Sequence, residues 1–143
     1  MTFAQLIELA HRHAHRHWAR GGARIGLSHS EYEYLRAIKE QEIKQTSKDD
    51  HGQHLQDVVE DLGVRKASAS AMVVKLTERG LVERVPCRYD ARAQHILLTP
   101  QGREMLQTGE EMYQAAARSF LSEAPGLDGD ALAAALAEKS ETG

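Results

Sequence analysis

Eight basic residues lie between positions 65 and 103: Arg65, Lys66, Lys75, Arg79, Arg84, Arg88, Arg92 and Arg103. Only Glu78, Glu83 and Asp90 oppose them there, while the whole chain carries a formal charge of −3, so the cationic surplus is local. Locality matters because charges more than about 10 Å apart are largely screened at ordinary salt. Guanidinium and ammonium groups at this density suit phosphate contact, and arginine adds a planar fork for guanine edges. A solvated basic face is the plainer account of charge taken alone.

A second constellation is histidine-rich. His11, His13, His15 and His17 alternate with other residues, Arg12 and Arg16 among them. On a helix they make two i, i+4 pairs, His11/His15 and His13/His17, a spacing at which two imidazoles reach one zinc ion. Glu33, Glu110, Glu111, His29 or His95 would have to complete the set. Solvated histidines alternating with arginines is the plainer reading, because a metal site takes three or four ligands. Cys87, the sole cysteine, stands beside Arg88, which favours a thiolate, but an incidental thiol is the plainer reading. One cysteine forms no intramolecular disulfide and suits a reducing compartment.

Other chemistry is missing at the level of motif. The chain has no glycine-rich phosphate loop, no HExxH or CxxC, and no nucleophile elbow, so an enzyme is not expected and no cofactor is required. At 143 residues, 41% apolar and 27% charged, it suits a single domain with a core that needs no staples. The opening MTFAQLIELAHRHAHRHWAR is too interrupted by charge for a signal peptide or membrane span, so a cytoplasmic protein without membrane association is expected.

The elements that would position the basic residues follow from periodicity. Phe3, Leu6, Ile7 and Ala10 predict a helix over 2–20 capped by Thr2 and broken at Gly21-Gly22. Ser28 or Ser30 opens a second, with Glu31 in its first turn and Tyr34, Leu35 and Ile38 on its buried stripe. The polar stretch from Gln45 to Gly52 reads as a loop. Leu55, Val58, Val59 and Leu62 form a short amphipathic helix stopped by Gly63, and Ala69, Met72, Val73 and Leu76 a second stopped by Gly80. Two short helices joined by a tight turn make a helix-turn-helix. Leu81–Val85 and Gln94–Thr99 alternate as strands around a polar, arginine-bearing turn, a hairpin wing. Pro100 then starts a long helix to about Leu121, and Leu127–Lys139 forms a last, alanine-rich one. The predicted class is mainly α with a small β-wing: a winged helix-turn-helix with dimerisation helices at both ends.

Three segments in order, LQDVVEDLGV from Leu55, SASAMVVKLTERGLVER from Ser68, and DAR from Asp90 followed by LTPQG from Leu98, resemble the MarR family of transcriptional regulators. Leu27-Ser28 with Tyr32 and Leu35 is also similar to that family's second-helix opening. The chain departs from the family in carrying Ala71 where arginine is common, and in a longer linker before His54. The resemblance implies one domain over 1–143, with dimerisation helices in 1–27 and 100–143 and a winged helix-turn-helix in 28–99. It implies a homodimer that binds duplex DNA at a pseudo-palindromic operator, most simply as a repressor, with release by a small-molecule effector. The alternative is a zinc-responsive regulator of the same type using His11, His13, His15 and His17.

With Ala69, Met72, Val73 and Leu76 turned inward, Arg65, Lys66, Ser68, Ser70 and Lys75 are the expected DNA contacts of the second short helix. Ala67, Ala71 and Val74 are placed to meet thymine methyls. Arg88 adds phosphate attraction from the wing. By resemblance Arg92 is the wing's minor-groove arginine, with Asp90 as its brace. His17, Trp18, Tyr32, Arg36 and Met112, with Tyr34, are the residues expected at the effector pocket that the family often has. Aromatic residues at helical spacing are, as a rule, simply core.

Overall fold

The structure, a computed structural model, describes residues 2–45, 55–86 and 94–142. Their order is α1 (Phe3–Ile25), α2 (His29–Gln45), α3 (Leu55–Leu62), α4 (Lys66–Glu78), β1 (Val82–Pro86), β2 (Gln94–Leu98), α5 (Pro100–Ser122) and α6 (Gly129–Thr142). The chain forms two compact units, Gly21–Glu111 and the pair Met1–Arg20 with Met112–Gly143. The first holds the helix-turn-helix and hairpin.

In the Gly21–Glu111 unit, α2 is the central element and touches α3, α4 and β2. Its start is a reciprocal cap: the Glu31 N–H donates to Ser28 Oγ (3.1 Å), and the Ser28 N–H donates to Glu31 Oε1 (2.9 Å). Two of the orphan N–H groups of the helix end are thereby satisfied. The buried stripe supplies Leu35 and Ile38, which meet Leu27, Val58, Val73, Leu76 and Leu106 in a fully buried core. Tyr34 is buried too, and burial raises its phenol pKa.

The helix α4 closes in a pattern that needs glycine. Gly80 has φ +74°, its N–H reaches Thr77 O, and the Leu81 N–H reaches Leu76 O at 2.9 Å. This left-handed stop turns the chain sharply into β1. The strands pair antiparallel from Val82↔Leu98 to Pro86↔Gln94. Val82, Ile96 and Leu98 are buried, while Glu83 and Arg84 are exposed. Thr99 welds the base of this hairpin to what precedes and follows it. Its N–H donates to Leu81 O (3.1 Å), its hydroxyl donates to Gly80 O (2.6 Å), and the same oxygen accepts from the Gly102 N–H (3.0 Å). Pro100 occupies the first helical position, where no N–H is missed.

The other unit is helical. Trp18 and Tyr113 meet edge to face with centroids 6.2 Å apart, and His13 meets Phe120 likewise at 5.8 Å. Asp128 caps α6 through the Ala131 N–H (3.1 Å). Phe3, Ile7 and Leu132 remain exposed here, at 72%, 55% and 45%.

One boundary differs from the expectation. The helix predicted to end at Gly21-Gly22 runs on to Ile25 and stops at Gly26, whose φ is +72°. Glycine costs roughly 1 kcal/mol in a helix interior, which regular hydrogen bonding on both sides outweighs. Both glycines are buried, and the division between the compact units falls at Arg20/Gly21. Among the described residues no helix is long and apolar enough to cross a membrane.

Gly102 permits α5 to begin hard against the hairpin base, since a Cβ there would sit 2.0 Å from the Leu81 carbonyl oxygen. The obstacle is backbone and cannot swing away. Gly102→Ala should therefore destabilise the unit by about 1–3 kcal/mol, as overpacking does. A lowered urea midpoint with unchanged slope would register it.

Candidate nucleic-acid interface

The geometry of α4 decides what this unit presents to a partner. Ala69, Val73 and Leu76 are buried, and Met72 is half-buried. Ala67, Ser68, Ala71, Val74, Lys75 and Glu78 are exposed, and Ser70 is half-buried. Arg65 is the N-cap residue, with φ −76° and ψ 144°, and its side chain makes no capping hydrogen bond. Lys66 follows as the first helical residue, and no acidic residue lies in the first turn. The positive end of the helix thus carries two exposed cations and a serine hydroxyl, all favourable to an anion.

What holds α4 in this attitude is a carboxylate from another helix. Glu31, buried on α2, accepts hydrogen bonds from Arg79 Nη1 through Oε2 and from the Ser28 N–H through Oε1. Arg79 Nη2 donates in addition to Gly26 O, and Lys75 Nζ lies 3.9 Å from Glu31 Oε2. Burial works to raise the Glu31 pKa, but the Ser28 N–H, the Arg79 guanidinium and the Ser28 hydroxyl outweigh it, and the net direction is downward. Arg79, which charge alone would assign to phosphate or water, is instead a clamp on the C-terminal end of α4. A second carboxylate secures the hairpin: Glu42 Oε1 accepts from the Leu98 N–H (2.9 Å) and Oε2 from Arg103 Nη2 (2.8 Å).

The expected contacts Arg65, Lys66, Ser68, Ser70 and Lys75 therefore share one helix, four of them exposed and Lys75 partly engaged by Glu31. Arg84 adds an exposed cation on β1. Arg88, Asp90, Arg92 and Cys87 lie outside the described residues, as does the loop expected over 46–52. The sequence marks Glu31 only as a first-turn residue of the second helix, and it does not mark Glu42. The Ser28–Glu31 spacing does signal a cap, but no local pattern points from Glu31 to Arg79, 48 residues away.

The histidine constellation is not a metal centre in this structure, which corrects the zinc expectation for His11, His13, His15 and His17. The His13 ring is turned inward at 4% exposure. Its Nε2 lies 3.0 Å from Glu123 Oε2 and its Nδ1 3.3 Å from the Ser119 hydroxyl oxygen, both at hydrogen-bond distance, so both ring nitrogens are engaged within the helical unit. His11 and His15 stack with centroids 6.5 Å apart, and His17 is half-buried. Among the described residues no group of three or more His, Cys, Asp or Glu side chains is gathered to hold a metal ion.

The residues expected at an effector pocket fall in both units. Trp18 is buried against Tyr113, and His17 and Met112 are half-buried. In the Gly21–Glu111 unit Tyr32 is buried beside Gly109, where a Cβ would meet its ring at 2.3 Å, and Arg36 pairs with Glu40 at 3.1 Å. A polar pocket of about 270 Å³ in that unit has other walls: Lys39, Arg103, Leu106, Gln107 and Glu110.

Two short helices at a left-handed glycine turn, a paired hairpin behind the second, and an exposed cationic helix end define a winged helix-turn-helix protein. Residues 25–93 match the family model described as the MarR family. The matched region contains the whole helix-turn-helix and the first strand of the hairpin. Three solved structures are similar across nearly the whole chain. Wild-type apo MarR from E. coli aligns with a TM-score of 0.70 at 16% identity, covering 99% of this chain and 97% of that one. A MepR–DNA complex from S. aureus aligns at 0.68 and 14%, covering 99% and 96%. BpsR of Bordetella bronchiseptica, described with regulation of its DNA binding by 6-hydroxynicotinic acid, aligns at 0.66 and 18%, covering 99% and 92%. At these identities the likeness is one of fold. No curated protein matches the sequence.

The Glu31 clamp has a pH signature. Because its folded pKa is depressed, its stabilisation is complete above the unfolded carboxylate value of roughly 4.3 and disappears as pH falls through the lower folded value. Glu31→Gln should remove this component of the acid limb of the stability–pH curve and lower stability near pH 7 by on the order of 1–3 kcal/mol, leaving Arg79 without its anion. Identical acid limbs for the two proteins would show that the clamp contributes nothing.

Proposed function

We propose that this chain is a cytoplasmic, homodimeric transcription regulator, most simply a repressor, that places α4 in the major groove of duplex DNA at a two-fold symmetric operator. The observation that carries the reading is the outward face of α4: a helix end bearing Arg65, Lys66 and Ser68, exposed and without acid in its first turn, on a MarR-family winged helix-turn-helix. The DNA-bound state of the similar MepR structure supports it. Arg65, Lys66, Ser68, Ser70 and Lys75 contact DNA from α4. Arg88 and Arg92 contact it from the wing, Arg92 in the minor groove and braced by Asp90. The chain acts as a single functional domain in which 28–99 bind DNA and the terminal helices of 1–27 and 100–143 join two copies. One short helix reads too few base pairs alone, and a dimer doubles the site. The exposed Phe3, Ile7 and Leu132 supply apolar surface for that association. A small-molecule effector regulates the DNA binding, by analogy with the regulation of BpsR's DNA binding by 6-hydroxynicotinic acid.

Gel shift against genomic fragments, including the region upstream of the chain's own gene, is the direct test; no shifted fragment at low salt defeats the reading. Given a shifted fragment, Lys66→Ala and Arg92→Ala should each weaken binding and reduce the slope of log K against log salt by about 0.9, one phosphate contact apiece. A slope equal to that of the parent removes the residue from the interface. Ile7→Glu combined with Leu132→Glu should shift the sedimenting species from dimer to monomer while far-ultraviolet circular dichroism stays helical.

A further inference from the structure

We propose that Val74, with Ala71 and Ala67 beside it, determines the specificity of this interface by reading thymine 5-methyl groups in the major groove. The inference rests on the DNA-binding reading and says what that same surface recognises. At 100° per residue, positions 67, 71 and 74 fall on one narrow stripe. That stripe lies opposite the buried Ala69, Val73 and Leu76. Val74 is 45% exposed, and its side chain does not serve the core.

The alternatives for base readout are short on this helix. Bidentate recognition of guanine or adenine calls for arginine, lysine, asparagine or glutamine aimed at the base edges. Between Lys66 and Glu78 there is no arginine, asparagine or glutamine. Arg65, at the N-cap, and Lys66 flank the stripe only at the helix start, and Lys75 leans toward Glu31. Arg79, at the far end, is spent on Glu31 and Gly26. What the stripe does offer a base pair is methyl groups on short side chains, which let the helix backbone approach closely. In the major groove the apolar group that answers them is the thymine methyl. The cations and hydroxyls on either side match the phosphates that border the groove, a pairing that an apolar protein groove would not reward.

The test uses the full-length protein and duplexes recovered by selection from a random-sequence pool. Recovered sites should carry thymine or adenine at symmetry-related positions, since a thymine lies on one strand or the other. Replacing those thymines with uracil removes only the methyl groups and should weaken binding about threefold to fivefold per methyl contacted. In Val74→Ala, exposed and so expected to fold with an unchanged unfolding midpoint, the uracil penalty at the Val74-contacted position should shrink to near unity. Equal affinity for thymine and uracil duplexes overturns the inference while DNA binding stands, and so does a penalty that Val74→Ala leaves undiminished. Recovery of no duplex at all overturns the DNA-binding reading and this inference with it.

Discussion

The carboxylate of Glu31 is the constraint through which α4 acquires its orientation. It lies buried at the first turn of α2, with one oxygen closing the helix's own cap and the other holding Arg79 at the end of α4. Arg79 extends the tie to Gly26 O, so the turn before α2, the start of α2 and the end of α4 are joined in one network. Ion pairs of this kind cost desolvation and are weak evidence for stability in themselves. Here the geometry fixes a direction: apolar packing of Val73 and Leu76 would tolerate rotation or sliding of α4, whereas a guanidinium bound at two places does not.

Two further polar ties complete the frame. Glu42 holds the closing strand and Arg103, and Thr99 joins the hairpin base to Gly80 and to the first turn of α5. Both ties lie at the base of the hairpin. The arrangement separates two roles that charge composition merges. Arg79 and Arg103 are engaged by Glu31 and Glu42, while Arg65, Lys66 and Arg84 are exposed cations outside those pairs. The surface around α4 is therefore less cationic than a count of basic residues implies.

The histidine run teaches the same lesson from the opposite direction. Four histidines at alternating positions form a symmetrical pattern on paper, yet they have different environments. His13 is engaged at both ring nitrogens by Glu123 and Ser119, whereas His11 and His15 stand exposed and stacked. Spacing set which rings share a helical face; it did not set which face turned inward.

Local pattern determined the elements of this protein: the apolar stripes of α3 and α4, the stops at Gly63 and Gly80, the alternating strands, Pro100 at a helix start, and the order of segments that resembles the MarR family. These features were legible because each depends on neighbours within about four residues, through helical periodicity, left-handed glycine turns or strand alternation. The run of α1 through Gly21-Gly22 was not, because a helix interior outweighs the intrinsic cost of a glycine pair. The outward set Arg65, Lys66, Ser68 and Lys75 followed from assigning the buried stripe. Tertiary structure alone decided the fates of Arg79, Glu31, Glu42 and His13, whose partners lie tens of residues away. A charged side chain declares its sign in the sequence, but which opposite charge or carbonyl comes within 3 Å depends on how separately encoded elements pack.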